Sequence, residues 1–180
     1  MKLKYLFLVV LFSISFGHAQ ESENVNKESS SEIKLNALYL VLGAFEGTYE
    51  YLLNEESGLG ISVFLPIDSE VNDDINYYIS PYYRFYFGNK YAAGFFLEGF
   101  GLLNSVNEST YYYTGGIDPS IEKEKVTDFA LGIGLGGKWI TKRGLLGEIS
   151  LGIGRNLFNS SDIEDSEFVG KVGITIGYRF

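Results

Sequence analysis

Residues 168–180 read FVGKVGITIGYRF. Counting back from the end, Phe180, Tyr178, Ile176, Ile174, Val172 and Phe168 are apolar at every second position, with Gly170 as an interruption. Arg179, Gly177, Thr175, Gly173, Lys171 and Val169 fill the positions between. Successive side chains of an extended chain point to opposite sides, so a period of two describes a strand with two unlike faces. Here one face is bulky and apolar, and the other is mostly small or basic. A soluble β-sandwich and a membrane β-barrel both use such strands, and the choice between them depends on the other strands and their connections.

The alternation recurs upstream. In residues 33–43, Leu35, Ala37, Tyr39 and Val41 oppose Lys34 and Asn36, although Leu38, Leu40 and Leu42 spoil the polar side. A tight connection is expected at 44–47, followed by Tyr49, Tyr51 and Leu53 against Thr48 and Glu50. Further strands are expected at 58–67, 77–87, 92–104, 125–141 and 145–158, making eight with the closing one. The fifth is the least clear, because FFLEGFG is apolar on both faces apart from Glu98. After the first connection, short ones (54–57, 88–90, 142–144) alternate with long ones (68–76, 105–124, 159–166). An even number of strands with short turns at one end and long loops at the other is the pattern of an up-and-down transmembrane barrel. The closing strand ends on the short-turn side.

Aromatic residues sort by end as well. Tyr49, Tyr51, Phe85, Phe87, Tyr91, Trp139, Tyr178 and Phe180 lie near the short turns or the C-terminus, and Phe45, Tyr77, Phe129, Phe158 and Phe168 lie near the other end. Two aromatic belts suit a bilayer and have no counterpart in a soluble sandwich. The expectation is therefore an all-β, eight-stranded antiparallel barrel over residues 32–180.

The N-terminus reads as an export address. Lys2 and Lys4 precede an apolar run from Tyr5 to Phe16, and Gly17, His18 and Ala19 supply small residues around a cleavage point, so 1–19 is expected to be a signal peptide. Residues 20–31 are polar enough to be a disordered periplasmic lead-in. Loss of 1–19 removes two lysines and no acids, making the formal net charge of −9 still more negative. An acidic exported chain is a poor nucleic-acid binder. With no cysteine, the fold has neither disulfides nor thiolate chemistry, and a closed backbone network must hold it together.

The signal segment, the polar lead, KLNALYL, YEYLL, SPYYRFYFG, FFLEGFG, ALGIGLGGKW and the YRF terminus together resemble the small eight-stranded outer-membrane barrels of Bacteroidota-type Gram-negative bacteria. That resemblance implies insertion in the cell outer membrane. It also implies Tyr178 and Phe180 as the signal read by the barrel-assembly machinery, and lipid and lipopolysaccharide as surroundings. It implies no particular activity.

The polar strand face carries Lys34, Glu50, Arg84, Glu98, Lys138, Glu148, Lys171 and Arg179. In an eight-stranded barrel this face lines a lumen just wide enough for side chains to fill. Across the short turns, Arg84 is expected opposite Glu98, Tyr86 opposite Phe96, and Lys138 near Glu148. The principal reading is a salt-bridged plug, and the alternative is a narrow gated path for small ions or solutes. Gly132, Gly134 and Gly136 repeat within a strand with no helix after them, which excludes a phosphate loop and suggests room left for large inward residues.

The single histidine, His18, falls in the signal segment, so a lipid-modifying enzyme with a His base is disfavoured; no catalytic, cofactor or metal residues are assigned. The acidic stretches with Asp68, Glu70, Asp73 and Asp74, and with Asp162, Glu164 and Asp165, read as solvated loop charge. Tyr111, Tyr112 and Tyr113, in the longest expected loop, are candidates for contact with an extracellular protein or glycan.

Overall fold

The structure, a computed structural model, describes residues 30–68, 75–112, 120–158 and 168–180. The expected signal peptide, most of the lead-in, Tyr113 and most of the two acidic stretches lie outside the described residues. The elements in order are β1 (Ser31–Asn36), a short helix α1 (Ala37–Val41), β2 (Ala44–Asn54), β3 (Ser57–Pro66), β4 (Ile75–Phe87), β5 (Gly94–Tyr112), β6 (Ser120–Ile140), β7 (Leu145–Asn156) and β8 (Phe168–Arg179). Every neighbouring pair is antiparallel, and β8 pairs back onto β1 to close an eight-stranded up-and-down barrel.

The barrel is polar inside and apolar outside. Glu32, Lys34, Glu50, Glu98, Lys138 and Glu148 are buried, whereas Ile133, Trp139, Leu151, Ile153 and Phe168 lie on the outer face with more than half their surface exposed. This reverses the arrangement of a soluble domain, and it matches a bilayer, which accepts only structures whose backbone bonds are closed among themselves. On β7 the outward residues run from Leu145 through Ile149 and Leu151 to Ile153. At about 3.3 Å per residue and a tilt near 40°, that run rises about 20 Å.

Two boundaries differ from the sequence expectation. The first strand stops at Asn36, and residues 37–41 turn into α1 instead of continuing the wall to 43. The Asn36 side chain explains the switch: Oδ1 accepts from Leu38 N (3.2 Å) as an N-cap and from Ile174 N (3.3 Å), while Nδ2 donates to Val172 O (3.2 Å). One side-chain amide thus caps the helix and serves two backbone groups of β8 that a longer β1 would have served. The leucines that broke the alternation belong to this helical turn, which Gly43 ends at φ 88°, in the left-handed region open to glycine. The expected tight connection at 44–47 is correspondingly the start of β2.

The expected long loop at 105–124 is also largely strand. β5 and β6 remain paired from Gly94 opposite Lys138 to Tyr112 opposite Ser120. Among the described residues, β4 pairs with β5 as far as Val106 and β7 with β6 as far as Ala130, so the described part of the β5–β6 hairpin extends beyond the described parts of its neighbours.

Pro81 sits within β4 and has no N–H for the ladder. The neighbouring Ser80 hydroxyl donates to Gly101 O instead (2.9 Å).

Candidate functional site

The lumen centre is built from three carboxylates and two ammonium groups. Glu32 and Lys34 come from β1, Glu50 from β2, Lys138 from β6 and Glu148 from β7, each at an inward position of its strand. Lys34 Nζ lies 2.5 Å from Glu50, 2.6 Å from Glu148 and 3.1 Å from Glu32. Lys138 Nζ touches the same three acids, at 2.8 Å from Glu32, 3.1 Å from Glu50 and 3.3 Å from Glu148. The carboxylate oxygens approach within 4.8 Å of one another, a spacing that would suit a metal ion, but the two ammonium groups already hold all three acids.

Two arginines extend this centre in opposite directions. Arg84, on β4, reaches Glu98 (2.6 Å), Glu148 (2.8 Å) and Glu50 (3.3 Å), with its guanidinium over the rings of Tyr82 and Phe96 at 4.4 and 4.2 Å. Lys171, on β8, continues outward to Glu98 (3.2 Å) and the Ser80 hydroxyl (3.1 Å). At the other end Arg179 grips Glu32 (2.6 Å) and donates to the carbonyls of Tyr91 (2.9 Å) and Ala92 (3.0 Å). Those carbonyls lie in the β4–β5 turn, which folds under the barrel. Ala92 is held there at φ 41° by its own N–H bond to Glu55 O (2.7 Å). Tyr82 and Tyr86 donate their hydroxyls to Glu50, so that carboxylate is satisfied from several sides.

The charged layer is closed above and below by apolar layers. On the loop side, Ala44, Phe64, Tyr78, Phe100, Leu102 and Ala130 pack together, with Phe64 and Tyr78 stacked at 4.7 Å and Tyr39 of α1 set edge-on to Phe64. On the short-turn side, Leu52, Tyr86, Ala92 and Phe96 form one cluster, and Ala93, Ile140 and Leu146 another. A cavity of about 30 Å3 remains between Asn36, Glu46, Glu98 and Lys171. It is the size of one water molecule.

Packing on this scale requires one wall to yield. Across the β5–β6 ladder Phe96 faces Gly136, Glu98 faces Gly134 and Phe100 faces Gly132. A Cβ at Gly132 would collide with the Phe100 ring and approach Ile153 O to 2.7 Å, and one at Gly136 would collide with Phe96.

All eight charged residues named from the sequence point into the lumen, and the ladder sets Arg84 opposite Glu98 and Lys138 opposite Glu148. The sequence reading missed Glu32 and Glu46, which bring the inward set among the described residues to five bases and five acids, apart from Asp128 near the loop end. Glu32 adjoins the polar lead-in, and Glu46 fell in the supposed turn. Both share the parity of inward neighbours, Lys34 and Glu50, and that was the available signal. Tyr91, expected in the aromatic belt near the short turns, is half-buried against the Leu52, Tyr86, Ala92 and Phe96 cluster. Tyr111 and Tyr112 lie at the end of β5, paired with Ile121 and Ser120, and not in the loop expected there, and Tyr113 lies outside the described residues.

No family model and no curated protein matches the chain. Among solved structures it is similar to the N-terminal β-barrel domain of Pseudomonas aeruginosa OprF, with 18% identity and a TM-score of 0.49, over 84% of this chain and 98% of that one. It is also similar to the Yersinia pestis outer membrane protein Ail, whose backbone structure was determined in a phospholipid bilayer nanodisc, with 18% identity and a TM-score of 0.40, over 85% of this chain and 100% of that one.

Proposed function

We propose that this chain is an integral barrel of the outer membrane, a closed-lumen anchor that holds the β5–β6 hairpin at the cell surface. The hairpin carries the reading: it stays paired to Tyr112 and Ser120, whereas among the described residues β4 pairs with it only as far as Val106 and β7 only as far as Ala130. A ribbon extended past the wall on the side opposite the C-terminus is a means of presenting side chains, and the barrel beneath it is a rigid mount. The membrane part of the reading is supported by the apolar outer face and its height. Tyr178 and Phe180 at the short-turn side retain their proposed role in recognition by the assembly machinery. Tyr111 and Tyr112 of this hairpin, with Tyr113 after them in sequence, are assigned to contact with an extracellular protein or glycan. A narrow channel would have to break a network of five bases and five acids held between apolar layers. A bulky substrate would find a cavity of only about 30 Å3.

Surface display is tested by treating intact cells with trypsin, for which Lys123 and Lys125 of β6 are cleavage sites. Cleavage on intact cells, with the barrel still showing heat-modifiable gel mobility, is the expected result. Protection on intact cells but cleavage after lysis would place the hairpin on the wrong side and overturn the reading. Replacing Tyr111, Tyr112 and Tyr113 with Ser is expected to abolish binding of cells to extracellular-matrix protein or glycan arrays without altering barrel mobility; undiminished binding sinks the contact assignment. Purified protein in planar bilayers is expected to leave conductance at the bare-bilayer level.

A further inference from the structure

We infer that residues 89–93, between β4 and β5, form a hinged lid over the short-turn end of the lumen, with Arg179 of β8 as its latch. The segment leaves and rejoins the wall through two glycines whose backbones pass closely. A Cβ at Gly88 would collide with Ala93 O, and one at Gly94 would come within 2.9 Å of Gly88 Cα. Gly94 also has φ 97°, in the left-handed region open to glycine. This crossing turns the segment under the barrel, where Ala92 and Ala93 are buried and Tyr91 packs against Leu52, Tyr86, Ala92 and Phe96. The base of that inward cluster is therefore covered by a turn of chain and not by a ladder.

The closed position depends on a few contacts. Ala92 N donates to Glu55 O (2.7 Å), and the Tyr91 and Ala92 carbonyls accept from Arg179 (2.9 and 3.0 Å). Ala92 holds φ 41°, a left-handed conformation that is costly for a residue with a Cβ, so the segment does not keep this shape by local preference. In the closed order of eight strands β8 stands opposite β4, and Arg179 thus joins one wall to a turn that springs from the other. Its guanidinium also holds Glu32 of β1 (2.6 Å). That ion pair remains when the lid swings away, so opening gives up the two carbonyl contacts without stranding a buried cation. Behind the lid, the Leu52, Tyr86 and Phe96 cluster would be wetted, and the charged layer of Glu50, Lys138 and Glu148 would stop water there.

The chain has no cysteine, so Leu52→Cys places a single thiol beneath the lid. In the detergent-folded full barrel, its labelling by a charged, water-soluble maleimide measures lid opening. The thiol is expected to react far more slowly than in the urea-unfolded chain. Arg179→Lys keeps the charge opposite Glu32 but lacks the planar fork that reaches both carbonyls, and it is expected to raise the rate about tenfold, the worth of one charge-assisted hydrogen bond. Hydrogen exchange at the Ala92 amide needs no cysteine and is expected to speed up by the same factor. Lys171→Met, which loosens the other end of the lumen, is expected to change neither rate. A rate that Arg179→Lys leaves unchanged, or that Lys171→Met raises equally, overturns the latch. A thiol that reacts at the unfolded rate in the folded barrel overturns the lid. Loss of heat-modifiable mobility in Arg179→Lys would make the arginine a requirement of the whole barrel, and would also overturn the inference.

Discussion

Seen from the lumen, β4 and β5 present Tyr82, Arg84, Tyr86, Phe96 and Phe100, whereas β6 and β7 present Gly132, Gly134, Gly136, Gly152 and Gly154 around Lys138 and Glu148. From outside, the two walls are both predominantly apolar. The lipid imposes one requirement on every strand, so their outer faces converge. The lumen imposes a total volume, which the strands divide unequally: aromatic bulk on one wall is possible because the facing wall has none. The glycine run is therefore a mould for Phe96, Glu98 and Phe100 and has no need of backbone flexibility.

The largest effect is expected where both walls meet the charge centre. Glu50 accepts from Tyr82 and Tyr86 of the bulky wall and holds Lys138 of the glycine wall together with Lys34 and Arg84. Glu50→Ala takes one carboxylate from three buried cations and two tyrosine hydroxyls at once, and is expected to destabilise the barrel by about 3–5 kcal/mol. The loss is read as a lowered urea midpoint for the detergent-folded protein. Glu98→Ala removes contacts to Arg84 and Lys171 alone and is expected to cost less. A reversed order would show that the two walls are not joined through Glu50.

A somewhat smaller loss tests the mould directly. Gly132→Val is expected to cost about 3 kcal/mol through overpacking against Phe100 and the Ile153 carbonyl. Phe100→Ala in the same chain should return part of it, giving a favourable coupling in a double-mutant cycle. The return is partial because the clash with Ile153 O remains. Strictly additive losses would mean that the glycines and the aromatics are not fitted to one another.

The same contrast explains what could be read before the fold was known. The outer face was legible at Leu131, Ile133 and Leu135 because every position meets the same solvent, so alternation alone reports it. Arg84 with Glu98, and Lys138 with Glu148, were legible because a short turn sets the register between adjacent strands. The approach of Lys34 on β1 to Glu148 on β7 was not, since contacts across a lumen depend on how the whole sheet staggers as it closes. α1 was hidden because five residues of Leu, Tyr, Val and Ala fit either a helical turn or a wall. The outer hairpin was hidden for the opposite reason. Its polar sequence carries no alternation that would report a strand, so NESTYY and SIEKE read as a loop although their backbones pair.

Gly99 provides the smallest and most discriminating test. It follows Glu98 on β5 and faces Ile133 on β6, one step along the ladder from the Phe100–Gly132 pair, so it lies at nearly the same depth as Gly132. Its position is outward, however, and a Cβ there would meet nothing within 4 Å. If lumen volume alone selects glycine, this one is dispensable. Gly99→Val should then leave the barrel intact and stabilise it by about 0.5–1 kcal/mol, because a β-branched residue loses less backbone freedom on entering a strand. The measurement is the same urea midpoint used for Gly132→Val. Two glycines at neighbouring rungs would then respond with opposite signs, and the direction of the side chain would be the cause. A loss at Gly99 as large as that at Gly132 would instead mean that glycine is needed on both faces, for backbone geometry and not for space.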